Sequence, residues 1–376
     1  MPKHVSASIW LVVVSVALHA QVNKISIAAG TPEDKDLIAI GNEADAQKKI
    51  AMYQDFLTKY ASNPSAVAYA DWQLSQSYQS SGDLGKALDC GDKAMAASPN
   101  NLDILMSQVT IAQQSKDNSK VFQYANAGGE AYDSIDKQTK PSGMSDEQFA
   151  SSVAEDKDTN KNAYEFFQNA AFGSIGAETD AKSRMDKIEK FSATFPKSGM
   201  DEQLTSYALL SLSELKDTPR LIAYGEKAVA ANPNNMAAML MLANTYVDSG
   251  EPGALNKAAK YAEQAILVAK ADQPDADKAR KISAGVAHST LGRVYAKQQK
   301  TVSSITELKA ATTLLKGQDE QQYAVAAYFL GWDYAKQKRL SEARAVLSDA
   351  ASIPGPMQQS TKELLGKVNS ARAAAK

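Results

Sequence analysis

The sequence predicts an all-α protein built as an array of helix pairs, and three observations carry that reading. The phrase LGRVYAKQ at Leu291 returns as LGWDYAKQ at Leu330, 39 residues on, and neither copy holds a good nucleophile, a metal-ligand pair or a phosphate-cradling glycine cluster. Alanine is frequent, Gly (20) and Pro (12) are few among 376 residues, and the Val/Ile/Thr alternation of strands is rare. A chain 44% hydrophobic and 22% charged has ample apolar material for a core and too little charge for disorder. At this length a repeat array grows along one axis without a single central core.

The chain opens on Met1-Pro2-Lys3-His4, a weakly basic start, followed by the apolar run IWLVVVSVAL from Ile9 to Leu18. That run has the length of a signal-peptide core and falls short of the about 20 apolar residues that a spanning helix needs. Residues 1–20 are expected to be a signal peptide and Gln21 the first mature residue, with cleavage after Ala17 or an uncleaved anchor as alternatives. The expected product is exported, periplasmic or secreted, soluble, and without stable membrane insertion. No cysteine follows the run to carry a lipid, which argues against a lipoprotein, and Cys90, the chain's single cysteine, has no intramolecular disulfide partner. It sits in the alanine-rich KALDCGDKAMAA and reads as a small core residue.

Each LG copy is followed thirteen residues after its leucine by a small residue, Ser304 or Ala343, and seven residues later by Ala311 or Ala350. This spacing resembles the tetratricopeptide repeat, whose unit of about 34 residues reads W-x2-L-G-x2-Y, then A-x3-F, then a late proline. The resemblance implies two antiparallel helices per unit, small residues where they cross, and an α-α superhelix (solenoid) of such hairpins.

With that template the elements follow in order. Residues 21–30 are expected to be a flexible mature N-terminus. Thr31-Pro32-Glu33-Asp34 suits a helix start and its dipole, and AMYQDFLTKY (Ala51 to Tyr60) marks a second helix. Ala68 to Asn101 supplies Leu74, Ser75, Tyr78, Ala87, Ala94 and Pro99, with SSGD as the turn. Leu102 to about Asp136 keeps the length but little of the signature, which makes 31–136 an N-terminal set of hairpins. Residues 137–200 are irregular: Tyr164, Phe167, Phe172 and Ile175, then Met185, Ile188, Phe191 and Phe195, keep helical spacing, so a divergent pair ending in KFSATFP, with one elongated helix, is expected. Glu202 to Asn235 gives Ala208, Leu209, Leu212, Ala228 and Pro233, with Thr218 read as the N-cap of its second helix. Met236 to about Asp272 gives Leu242, Ala243, Tyr246, Ala258 and Ala265, with about three extra residues at DSGEPG. The two LG units complete a C-terminal set over 201–356, stopped by IPGP, and 357–376 is expected to be a capping helix. The match is partial: the first-helix tryptophan is missing from its usual place, and the glycine of the LG pair stands only at Gly292 and Gly331.

The resemblance also implies a concave groove, lined by the first helices, that takes an extended peptide or a partner helix. Its groove-facing positions correspond to Tyr69, Trp72, Gln76 and Gln79, then Leu240, Asn244 and Asp248, then Ser289, Arg293 and Lys297, then Val325, Tyr328, Trp332 and Lys336. Asn244 is of the type that bonds a peptide backbone with both donor and acceptor. Trp332 follows Gly331 on a helix whose inward positions are filled by Leu330 and Tyr334, so it faces the groove or solvent, or else packs on the next unit. The lysine and asparagine set of the family's carboxylate clamp is not supplied.

Composition narrows the function further. A net charge of -2 leaves no footprint for nucleic acid. Glu130 to Asn160 carries eight acids against three bases and Gly292 to Arg344 nine bases against five acids, which raises the idea of an anionic partner near Trp332. Histidines occur only at His4, His19 and His288, so a metal centre or catalytic triad has little to build on, and no cofactor is expected. Carboxylate pairs such as Glu155-Asp156 and Asp201-Glu202 read as helix starts or polar loops. The expected function is a non-catalytic interaction or assembly scaffold of a bacterial cell envelope, with a protein or peptide partner; the alternative is a glycan- or small-ligand-binding receptor subunit with an aromatic pocket near Trp72 or within 137–200.

Overall fold

The computed structural model describes residues 25–374, which form 18 α-helices and one 3-10 turn with no strand among them. The expected signal peptide lies outside the described residues. The first of two compact units runs to Thr179 and includes Asp186–Ser198; the second holds Asp180–Met185 and everything from Gly199 on. In the first unit stand α1 (Pro32–Gly41), α2 (Ala46–Lys59), α3 (Pro64–Ser80), α4 (Leu84–Ala97), α5 (Leu102–Gln114), α6 (Asn118–Asp133), the 3-10 turn Ser134–Lys137, α7 (Asp146–Thr159), α8 (Lys161–Gly176) and the larger part of α9 (Ala181–Thr194). The second holds α10 (Asp201–Glu214), α11 (Thr218–Ala231), α12 (Met236–Ser249), α13 (Ala254–Ala269), α14 (Lys278–Lys297), α15 (Thr301–Leu315), α16 (Glu320–Lys336), α17 (Leu340–Ala350) and α18 (Gln358–Ala374).

Five of the hairpins share one turn. After α3, α5, α10, α14 and α16 the chain takes a left-handed residue, Gly82, Lys116, Lys216, Gln299 or Lys338, with φ between 56° and 81°. The next N–H then reaches back five residues: Asp83 to the Tyr78 carbonyl (2.9 Å), Asp217 to Leu212 (2.9 Å), Lys300 to Tyr295 (2.9 Å) and Arg339 to Tyr334 (2.9 Å). These are Schellman bonds, which satisfy the orphan carbonyls of a helix end. The repeated YAKQ phrase is therefore the end of a first helix plus its turn. In three cases the donor residue, Asp83, Asp117 or Asp217, also caps the following helix with its carboxylate. Thr218 is thus the first helical residue and not the cap expected of it, because Asp217 accepts the Arg220 N–H at 3.2 Å.

Within a hairpin the two helices cross at small residues. Ser75 Oγ on α3 donates to the Ala87 carbonyl on α4 (2.7 Å), and Ser304 Oγ on α15 donates to the Gly292 carbonyl on α14 (2.8 Å). Both bonds join positions 12 residues apart, so the same crossing is written once with serine on the first helix and once on the second. Where glycine takes the position there is no room for more: a Cβ at Gly331 would lie 2.5 Å from Leu347 Cγ, and Leu347 is fully buried. Glycines on the second helices serve the next layer, since a Cβ at Gly91 would strike the Gln108 amide and one at Gly225 would strike Leu242.

Residues 137–200 depart from expectation. Instead of one elongated helix there are three of 14, 16 and 14 residues. Ser145 opens α7 with a full capping box, and Asn160 (φ -98°, ψ 7°) ends it, its side-chain amide donating to the Asp156 carbonyl at 2.8 Å. Glu155 and Asp156 lie inside α7 and not at a helix start. The divergent pair is α8 and α9, joined by Phe172 against Phe191 and Tyr164 against Phe195. It docks on α6 because Gly128 and Gly129 leave the backbone bare: Cβ atoms there would stand 2.4 Å from Phe167 and 2.5 Å from Phe195.

Gly331→Ala is expected to destabilise the protein by roughly 1–2 kcal/mol, because overpacking against Leu347 outweighs the gain in helix propensity. Gly366→Ala on α18, where a Cβ meets nothing within 4 Å, is expected to stabilise by up to about 1 kcal/mol. Denaturant titration of both variants checks the pair.

Candidate functional site

In the second unit α12, α14 and α16, the first helices of three successive hairpins, lie side by side. Each offers side chains four residues apart on one face: Asn244 and Asp248, Arg293 and Lys297, Tyr328 and Trp332. Arg293 is the hinge of the arrangement. Its two terminal nitrogens donate to Asn244 Oδ1 (3.0 Å) and Asp248 Oδ2 (2.6 Å), and its guanidinium stacks over the Phe329 ring, 5.3 Å from the centroid. Lys297 Nζ donates to the Val247 carbonyl (2.6 Å) and to Asp248 Oδ1 (3.2 Å). Partial burial pushes the Asp248 carboxyl up, but the hydrogen bonds and charges of Arg293 and Lys297 outweigh it and hold it below the ordinary carboxylate value.

Above this network is a cavity of about 300 Å³ lined by Asp248, Arg293, Ala296, Lys297, Tyr328, Phe329 and Trp332. Tyr328 meets Phe329 edge to face at 5.3 Å. Trp332, 50% exposed, is the one aromatic among the large exposed hydrophobics of the described residues.

The predicted residues meet different fates. Asn244, Arg293, Lys297, Tyr328 and Trp332 converge, whereas Ser289 is buried and does not face out. Asn244 is already engaged within the chain: its oxygen accepts from Arg293 and lies 3.0 Å from Thr290 Oγ1, and one of its two amide N–H groups donates to the Leu240 carbonyl. Lys336 is exposed one turn beyond Trp332, and Leu240 and Val325 are half-buried. Tyr69, Trp72, Gln76 and Gln79 belong to the first unit; Gln79 bonds Gln114 (3.2 Å), Tyr69 packs on the α2–α3 core, and the buried indole N–H of Trp72 has no partner. Sequence reasoning missed Phe329 and Ala296. Adjacency to Tyr328 was the one available signal for Phe329, since its role comes from the arginine of another helix.

Beneath Trp332 lies Asp333, 2% exposed. Ser304 Oγ stands 2.8 Å from the Gly292 carbonyl and 2.5 Å from Asp333 Oδ2. A hydroxyl has one proton, so Ser304 donates to the carbonyl or to the carboxylate but not to both at once. Burial pushes the Asp333 carboxyl up, against the Ser304 bond and the Lys336 charge. His288 Nδ1 pairs with Glu307 (2.6 Å), and Cys90 is buried, its thiol pushed up by burial, Asp71 adding to the effect. Among the described residues no group of three His, Cys, Asp or Glu could hold a metal ion, and no helix is long and apolar enough to cross a membrane.

These hairpins define a tetratricopeptide-like all-α repeat chain. Solved structures similar to it include a thermophilic TPR protein from Thermus thermophilus, 19% identical over 51% of this chain and 93% of its own, with a TM-score of 0.36. A tetratricopeptide repeat protein from Parabacteroides merdae is 14% identical over 80% of this chain and 98% of its own, with a TM-score of 0.35. No protein-family model matches the sequence, and no curated protein does.

A carboxyl whose pKa is raised by folding costs stability above its folded pKa, and that cost fades as pH falls toward the unfolded value. Asp333→Asn is therefore expected to stabilise the protein at neutral pH by about 1 kcal/mol, with the gain shrinking in the acid range where wild type is protonated. Thermal melts of both proteins at neutral and acid pH check this.

Proposed function

We propose that the protein is a non-catalytic interaction scaffold of a bacterial cell envelope that binds a peptide or partner helix across α12, α14 and α16. The observation that carries the reading is Trp332: a half-exposed tryptophan, with Tyr328 and Phe329, over a cavity whose two cations, Arg293 and Lys297, share one carboxylate, Asp248. Large aromatics in such settings anchor partners. Because Asp248 occupies Arg293 and Lys297, the anchor the cavity favours is apolar or aromatic, and the anionic partner considered from the charge pattern is the weaker reading. Export rests on the apolar leader-like run Ile9 to Leu18.

A displayed random-peptide library panned on the full chain is expected to select sequences with a large apolar residue. Trp332→Ala, at an exposed position, is expected to weaken the selected peptide about tenfold or more. Affinity should change little between about 0.05 and 0.5 M salt, since the anchor is apolar. Peptides indifferent to Trp332→Ala, or bound only at low salt, contradict the reading. For export, N-terminal sequencing of protein recovered from a bacterial envelope fraction is expected to begin at Gln21.

A further inference from the structure

A second and larger cavity, about 680 Å³, opens in the first unit where α6 ends, α7 meets α8 and the chain leaves α9. Its wall carries Tyr132 and Tyr164, ring centroids 4.5 Å apart and tilted by 34°. Both rings are held in place by their neighbours. Tyr164 rests on Phe195 (5.3 Å), and Phe195 occupies the space left by Gly129. Tyr132 Oη donates to the Lys157 carbonyl (3.1 Å), while Lys157 Nζ lies over the Tyr132 ring (5.0 Å) and pairs with Asp136.

The rest of the wall is polar. Lys161, Glu165 and Asn169 repeat every four residues along α8, and Asp133 and Lys197 stand with them. None of these five side chains makes a hydrogen bond or ion pair with another described residue, in contrast to the Asp248, Arg293 and Lys297 network of the other unit. Asn169 also borders a smaller cavity of about 350 Å³ that includes Gln113, Lys116 and Ser174. The two cavities flank one amide on a face that runs about 24 Å along α8.

The chemistry of the ligand follows from what this wall offers. Asp133 and Glu165 accept only, Lys161 and Lys197 donate only, and Asn169 does both, so a partner must itself give and take hydrogen bonds over a short distance. A phosphate-bearing ligand would meet Asp133 and Glu165 as well as the lysines, and an apolar peptide side chain would strip these groups of water without replacing it. A pyranose has hydroxyls that donate and accept around its rim and a C–H face that fits an aromatic ring. We infer that this cavity binds carbohydrate, with the Tyr132–Tyr164 pair as its aromatic wall, Glu165 and Asn169 as hydroxyl partners, and an oligosaccharide extending along α8.

The test is native affinity electrophoresis of the full chain in gels containing soluble glucan, mannan, xylan, galactan or pectin. At least one polysaccharide is expected to retard the protein, and the double variant Glu165→Ala/Asn169→Ala to weaken that retardation about tenfold. Tyr164→Ala is expected to do the same provided circular dichroism shows it folded, while Trp332→Ala leaves retardation unchanged. Retardation by none of the five polysaccharides, or equal retardation of the double variant, overturns the inference. Glu165- and Asn169-dependent binding to a peptide array, with no polysaccharide bound, would assign the cavity to protein and overturn it as well.

Discussion

Everything in this protein hangs on the close crossing of two helices within each hairpin. Helix axes that approach within about 8–10 Å leave no room for a large side chain on both sides of the contact. The chain answers with Ser75 against Ala87, Gly292 against Ser304, and Gly331 beneath Leu347. Two of these crossings are also hydrogen-bonded from a hydroxyl to a helix carbonyl, which satisfies the serine in a dry contact. Once the crossing is fixed, the Schellman turn directs the second helix back, and the first helices present the residues four apart that form a face.

The repeated LG-x-x-YAKQ phrase was legible because every letter of it has a local duty. Leucine fills the hollow between helices, glycine makes the notch, and the tyrosine carbonyl receives the bond that closes the turn. The same logic exposed the hairpins whose signatures are worn. The 137–200 segment was not legible in this way, since its helices dock through Phe167 and Phe195 on Gly128 and Gly129, contacts between residues far apart in sequence. Its helix break at Asn160 is a side-chain bond to the chain's own backbone, a weak signal beside strong helical periodicity.

The candidate site shows a similar division. Template positions located Asn244, Arg293 and Trp332, but not what they do to one another. The structure turns a row of groove positions into a polar network in which Arg293 bonds Asn244 and Asp248 and stacks on Phe329, leaving Tyr328 and Trp332 as the open chemistry. In the first unit the reverse holds: the aromatics are braced and the polar groups of α8 are open. One architecture thus presents two faces of opposite character, an apolar one over paired charges and a polar one beside fixed rings.

The central claim is that the stack is held locally, hairpin on hairpin, by these crossings. Amide hydrogen exchange read by mass spectrometry, comparing wild type with Gly331→Val, tests it most directly. The account predicts loss of protection in α15, α16, α17 and α18, with α1 to α6 exchanging as in wild type. Loss of protection spread evenly over all the helices would contradict it, because the chain would then be one cooperative core and the crossings only details of its packing.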